Sequence, residues 1–329
     1  MRWAAERSMN MKHLIKSREF ILTLFILVMV TLITLINPAF FDPKNLMDIM
    51  RNVSYTTIAA LGMSMVMITG GIDVSMGAVL SALALSCGAM AVGGLPQPVY
   101  LLLTVLLGAA VGCVNGFFIV KTKVPPMICT LAVSSIVSGT IIVITNGKWV
   151  IGLPESFNLI GKGSIGGLPI SVLIMTAVLA WNIWFMSRSR LGRNIYAVGG
   201  NPGAARLSGV NVDRTLILTY MISGILLAIA TIVYCTRLAS IVTDCGTNFH
   251  IPLIAAATIG GTSILGGSGR PVGTFLGALI LELFRTALVY LKISTYWEQA
   301  VQGGLILFAV LLGAISIINS KKAVGADAK

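Results

Sequence analysis

Apolar runs of about 17 to 20 residues recur along this chain, and at 1.5 Å per helical residue each can cross about 30 Å of hydrocarbon. No soluble core needs so many. The pattern predicts an all-α, polytopic membrane protein of about ten transmembrane helices, with spans at 20–36, 54–69, 75–92, 98–119, 126–145, 168–186, 215–235, 251–265, 271–290 and 298–318. Composition agrees: 10% of the 329 residues are charged, against about 25% in a typical soluble domain. The run at 21–36 follows a basic leader but is long for a signal sequence and has no small-x-small cleavage site, so it reads as a retained first helix.

A net charge of +12 would suggest nucleic acid in a soluble protein; here it is read against the membrane first, and no nucleic-acid partner is expected. With the N-terminus cytoplasmic, the inside segments hold 16 of the 23 Lys and Arg and the outside segments six, whereas acidic residues divide evenly. That bias sets orientation and puts both termini in the cytoplasm. The expected division is a cytoplasmic segment at 1–19, one transmembrane domain at 20–318 and a cytoplasmic tail at 319–329. Glu282 and Arg285, at i,i+3 within the ninth span, are expected to lie side by side as a structural pair, with a transport site as the competing reading.

Three stretches interrupt the apolar pattern. TGGIDVSMGAVLSALAL at 69–85 sets Gly70, Gly71, Asp73, Ser75 and Gly77 between two spans. The glycines let the backbone turn, while Asp73 and Ser75 can accept the free N–H groups of the next helix. Asp73 is read as a helix cap and hinge, with a direct ligand of a transported molecule as the alternative. A second Gly-rich turn holds Gly260, Gly261, Gly266, Gly267 and Gly269. At an offset of 190, Gly70, Gly71 and Gly77 fall on Gly260, Gly261 and Gly267, and both segments have the short, Gly-interrupted pattern of broken helices lining a polar route. The third stretch, an inside loop at 187–215 with five arginines, reads as a docking surface, with Asn201 capping a short helix, Pro202 at its first position and Gly209 ending it. Two outside loops, at 146–167 and 236–250, are long enough to meet an external partner.

There is no GxxxxGK[ST], HExxH or GxSxG, and the histidines, His13 and His250, fall on opposite sides of the membrane. The five cysteines lack metal spacing and read as core residues, so no metal or catalytic residue is expected. Energy for active transport would come from a partner.

Three motifs in order, NPAFFDPKNLMDIMRNVSYTTIAALGMSMVMITGGIDVSMGA, GRNIYAVGGNPGAARLSGVNV and AAATIGGTSILGGSGRPVGTFLGALI, give the chain a family resemblance. It resembles the permease subunits of bacterial ABC importers for monosaccharides, the ribose, xylose and galactose group that includes permeases for a furanosyl autoinducer. The resemblance implies an ABC importer permease fold in the inner membrane. It also implies alternating access driven by a separate ATPase subunit that uses the ATP, so that no cofactor is bound directly. Further implied partners are a periplasmic or extracellular sugar-binding protein, a second permease copy, identical or not, and the surrounding bilayer. In the family the inside loop sits in a groove of the ATPase and carries EAAxxxG; here Ala204, Ala205 and Gly209 fit, and Gly203 stands at the glutamate position. Arg193 and Arg206 are then candidate ATPase contacts. Asn115 and Ser75 are candidate pathway groups, or else helix-to-helix hydrogen bonds. A self-sufficient carrier or facilitator is the alternative function, and no residue names the sugar.

Overall fold

A computed structural model describes residues 18–294, 296–304 and 307. The leader before residue 18, the tail at 319–329 and most of the expected span at 298–318 lie outside the described residues.

Apart from one four-residue turn of helix at Leu159–Lys162, the α-helices described are α1 (Arg18–Ile36), α2 (Pro43–Ile68), α3 (Met76–Val92), α4 (Gln97–Thr122), α5 (Pro126–Thr145), α6 (Ile170–Arg188), α7 (Arg190–Gly200), α8 (Pro202–Leu207), α9 (Val212–Cys235), α10 (His250–Ile259) and α11 (Pro271–Tyr290). Among the described residues, six helices are long and apolar enough to cross a membrane: α1, α4, α5, α6, α9 and α11. α2 is not one of them, although it is the centre of the molecule. Every residue from Val53 to Ile68 is buried, against α6, α9, α10 and α11.

Hydropathy and burial separate for a physical reason. The apolar windows of α1 and α5 are only 6% and 11% buried within the protein, so their flanks meet lipid and must be apolar nearly all round. α2 meets protein on every side and tolerates Ser54, Thr56, Thr57 and Ser64.

α2 begins 11 residues before the expected span. Pro43 occupies the first turn and the Asp42 carboxylate accepts from Lys44 N at 2.8 Å, a start signal that lies in polar sequence. α10, expected to reach residue 265, ends at Ile259 because the glycine turn follows at once. α4 packs along α9 through a seam of small residues: Gly108, Gly112 and Gly116 face Ile217, Tyr220 and Gly224. Their GxxxGxxxG spacing is the signal for close helix approach, and sequence reasoning missed it.

At the end of the bundle away from α7 and α8, the two long loops meet. Val150 and Ile241 form an antiparallel bridge, and a small hairpin pairs Ser164–Ile165 with Leu168–Pro169. Glu282 and Arg285 lie near enough to attract each other, but their direct contacts are made elsewhere, which corrects the expected closed pair. Glu282 accepts from Asn52 Nδ2 at 2.6 Å, and Arg285 Nε meets Glu298 at 3.3 Å. Spacing along one helix cannot register partners 230 residues away.

Candidate functional site

The inside loop folds as two helices. α7 starts where the Ser189 hydroxyl accepts from Gly192 N at 2.8 Å, and it buries Gly192, Ile195 and Val198 against the bundle. Sequence reasoning missed α7. α8 forms as expected: the Asn201 side chain accepts from Ala204 N at 3.0 Å, Pro202 takes the first turn, and Gly209 turns the chain away at φ +82°. Only Ala205 of α8 is buried, packed with Val198 and Val212; Gly203, Ala204, Arg206 and Leu207 stand out from the bundle. Both candidate arginines already have partners within the chain. Arg206 pairs with Asp213 at 2.9 Å, and Arg193 Nη1 donates to the Arg188 carbonyl at 3.0 Å.

α7 rests on both glycine turns, which come together beneath it. The orphan carbonyl of Ile68 at the C-terminus of α2 accepts from Gly267 N at 2.8 Å. A Cβ on Gly199 would overlap the same Ile68 oxygen and lie 2.7 Å from Gly267 N. Gly70, Gly261, Gly266 and Gly267 all have positive φ, between +78° and +99°, which an L side chain would strain. Tyr196 of α7 closes the junction by donating to the Gly269 carbonyl at 2.8 Å. Gly260 and Gly273 let α10 and α11 touch backbone to backbone. Arg18 caps the far side, donating to the carbonyls of Thr258 and Ile259 at the C-terminus of α10, while Glu19 holds Arg270 at 2.8 Å.

Around Asp73 the expected cap is only partly present. The Asp73 carboxylate accepts from the N–H and the hydroxyl of Ser75, ordering the turn before α3, but the Ser75 side chain caps no helical N–H. Ser75 Oγ instead accepts from Asn115 Nδ2 at 2.9 Å, which reaches Asp73 Oδ2 at 3.5 Å. Thr130 of α5 pins the turn from the other side, accepting from Val74 N at 3.1 Å and donating to the Ile72 carbonyl at 3.2 Å. Asp73, Ser75 and Asn115 are all buried, so in this conformation they tie α3, α4 and α5 together. The neighbouring glycines have separate reasons. Gly70 supplies a φ of +84°, Gly71 leaves room for the Tyr220 hydroxyl, and Gly77 lets the backbone at Gly246 approach.

Asp73→Asn keeps an acceptor for Ser75, and the Asn115 amide, whose Oδ1 has no partner, can turn to accept from the new amide. The midpoint of thermal unfolding in detergent is expected to change little for Asp73→Asn. Asp73→Ala strands buried donors and is expected to cost about 1–3 kcal/mol. Loss of transport in Asp73→Asn with normal folding would instead make Asp73 a pathway group.

The two glycine turns, α7, α8 and all but the first two residues of α2 fall within residues 45–310, which match the family model described as the permease component of the branched-chain amino acid transport system. The chain belongs to this permease family. A ribose import permease protein of Escherichia coli K12 is 39% identical over 294 residues, covering 87% of this chain and 91% of that one. A ribose import permease protein of Haemophilus influenzae is 34% identical over 317 residues, covering 94% and 96%. An autoinducer 2 import system permease protein of an Enterobacter species is 35% identical over 303 residues, covering 92% and 88%. No solved structure matches the chain. It is therefore a multi-pass membrane permease of the ABC importer class, and its helices are those of a permease. The large apolar side chain that α8 exposes is Leu207, 93% accessible, which sequence reasoning also missed. Its signal was an isolated leucine at the end of a polar helix.

Proposed function

We propose that this permease forms the transmembrane route of an ATP-driven importer for a monosaccharide or a related small polar sugar, with α8 seated in a separate ATPase subunit. The observation that carries the docking reading is Leu207: a large apolar side chain, 93% accessible, on a helix anchored by buried Ala205. Solvent does not reward that exposure, whereas a groove on a partner does. In this reading the α7–α8 end faces the cytoplasm of a bacterial cell, in keeping with its arginines, and both termini lie on that side. The names of the curated relatives support a sugar cargo over an amino acid. The ATPase subunit uses the ATP and the permease binds no cofactor itself. A periplasmic or extracellular sugar-binding protein delivers cargo to the opposite end, and a second permease copy completes the route.

Leu207→Asp, in the full chain co-expressed with a candidate ABC ATPase subunit, tests this. The variant is expected to fold normally, because Leu207 packs against so little of its own chain. It is expected to weaken co-purification by ~30-fold or more, the cost of about 2 kcal/mol at an interface hot spot. Undiminished co-purification would remove α8 as the docking element. Sugar uptake by liposomes holding the permease alone would replace the importer reading with a self-sufficient carrier.

A further inference from the structure

α10 is a half-helix. Its 10 residues span about 15 Å before the glycine turn, half of what a hydrocarbon layer of about 30 Å would require. The chain before it, 242–249, carries turns but no regular helix, and Asn248 has a φ of +61°. Irregular backbone within a membrane-spanning bundle persists where protein or a polar cavity covers it, and broken helices of this kind commonly border the cargo of a transporter.

A cavity of about 350 Å³ opens there, at the lower end of the range for small-molecule sites. Thr56 of α2, Tyr234 of α9, Thr247 and Asn248 of the irregular segment, Glu282 of α11 and Gln299 line it. The charges around it are already matched. Asn52 holds Glu282 and in turn accepts from Arg237, and Arg285 is paired with Glu298. Two carboxylates and two guanidinium groups leave no net charge to recruit an ion or the termini of an amino acid. Hydroxyls and side-chain amides both donate and accept, which suits a neutral ligand with several hydroxyl groups, and the tyrosines offer ring faces to its C–H groups. A second cavity of similar volume, between α3 and α5, is walled by Leu85, Ile136, Ile141 and Ile144 and has little to offer such a ligand.

We propose that the cavity at the start of α10 is the station where the permease holds its sugar, away from the docking helices. The proposal rests on the importer reading and adds to it the residues that meet the cargo. Cys245 also lines the cavity and serves as a native reporter. The full chain, reconstituted with its ATPase and binding protein, is labelled with a small thiosulfonate reagent, and modification of Cys245 is followed by mass spectrometry. D-Ribose, D-xylose and D-galactose are the probes, with L-leucine as comparator. At least one sugar is expected to slow modification of Cys245 several-fold while leaving Cys113 and Cys129 unaffected, and leucine is expected to do nothing. Thr247→Val and Gln299→Met, each close in size to the native side chain, are expected to abolish protection and lower uptake about tenfold with ATPase assembly unchanged.

Uptake of a sugar with no protection of Cys245, and with both variants as active as the native protein, would overturn the cavity assignment and leave the importer reading standing. Protection by leucine alone, or a Cys245 that never reacts, would also overturn the assignment. A native chain that neither assembles with an ATPase nor takes up any of the sugars would overturn the importer reading and the cavity with it.

Discussion

Gly199→Ala is expected to remove most of the correctly folded, transport-competent protein, while Gly200→Ala beside it is expected to be neutral or slightly stabilising. The difference lies in what each new methyl group would meet. At Gly199 it would overlap the Ile68 carbonyl oxygen and lie 2.7 Å from Gly267 N, and neither is a side chain that can swing away. Overpacking of a core costs about 1–3 kcal/mol when side chains can yield, and a clash with two backbone segments belongs at or above the top of that range. The same clash pries open the hydrogen bond from Gly267 N to Ile68 O that joins the two glycine turns. At Gly200 a methyl group would meet no heavy atom within 4 Å, and alanine favours the helix over glycine by about 0.5–1 kcal/mol. The check is the unfolding midpoint of each variant by fluorescence-detected gel filtration, followed by ATP-driven uptake. A Gly199→Ala protein as stable and active as the native one would show that α7 does not bear on the turns.

The glycine seam between α4 and α9 is the second place where one carbon has a large expected effect. A Cβ on Gly112 would overlap the Tyr220 carbonyl oxygen and stand 3.0 Å from its carbon, so the helices must separate to admit it. Separation loosens the contacts made through Gly108 and Gly116 as well, because one seam sets the distance for all three. Gly112→Ala is expected to cost about 1–3 kcal/mol. Gly139→Ala on α5, where a Cβ meets nothing within 4 Å, is the control and is expected to leave the midpoint unchanged or raise it slightly. Equal midpoints for the two variants would mean that α9 can retreat from α4 without loss.

The sequence was most legible where a local signal marks a boundary. α5 and α11 occupy the expected 126–145 and 271–290 because proline stands in the first turn of each. α2 was cut short because its capped start lies among polar residues, where a search for apolar runs does not look. At the candidate site the three glycine-bearing stretches were each visible, and so was the Asn201 cap. Their meeting at Ile68 and Gly199 was not visible, since glycine spacing says that a backbone will be approached but not by what. Asn115 and Ser75 read equally well as pathway lining or as helix-to-helix bonds, and only three dimensions placed both on Asp73. Glu282 drew attention by its depth, yet its partner is an asparagine on α2 that no periodicity singles out.

The burial of α2 on all sides also bears on how the chain is made. A helix less apolar than its membrane-spanning neighbours is synthesised second, well before α9 and α11, which later cover it. During that interval the surfaces of α2 that α9 and α11 will cover have no lasting partner. Biogenesis therefore has a vulnerable window early in synthesis, which closes only when the last third of the protein arrives. Substitutions that weaken the α2 contacts of α9 or α11 would then be felt first as lost yield and degradation, before any defect in transport could be measured.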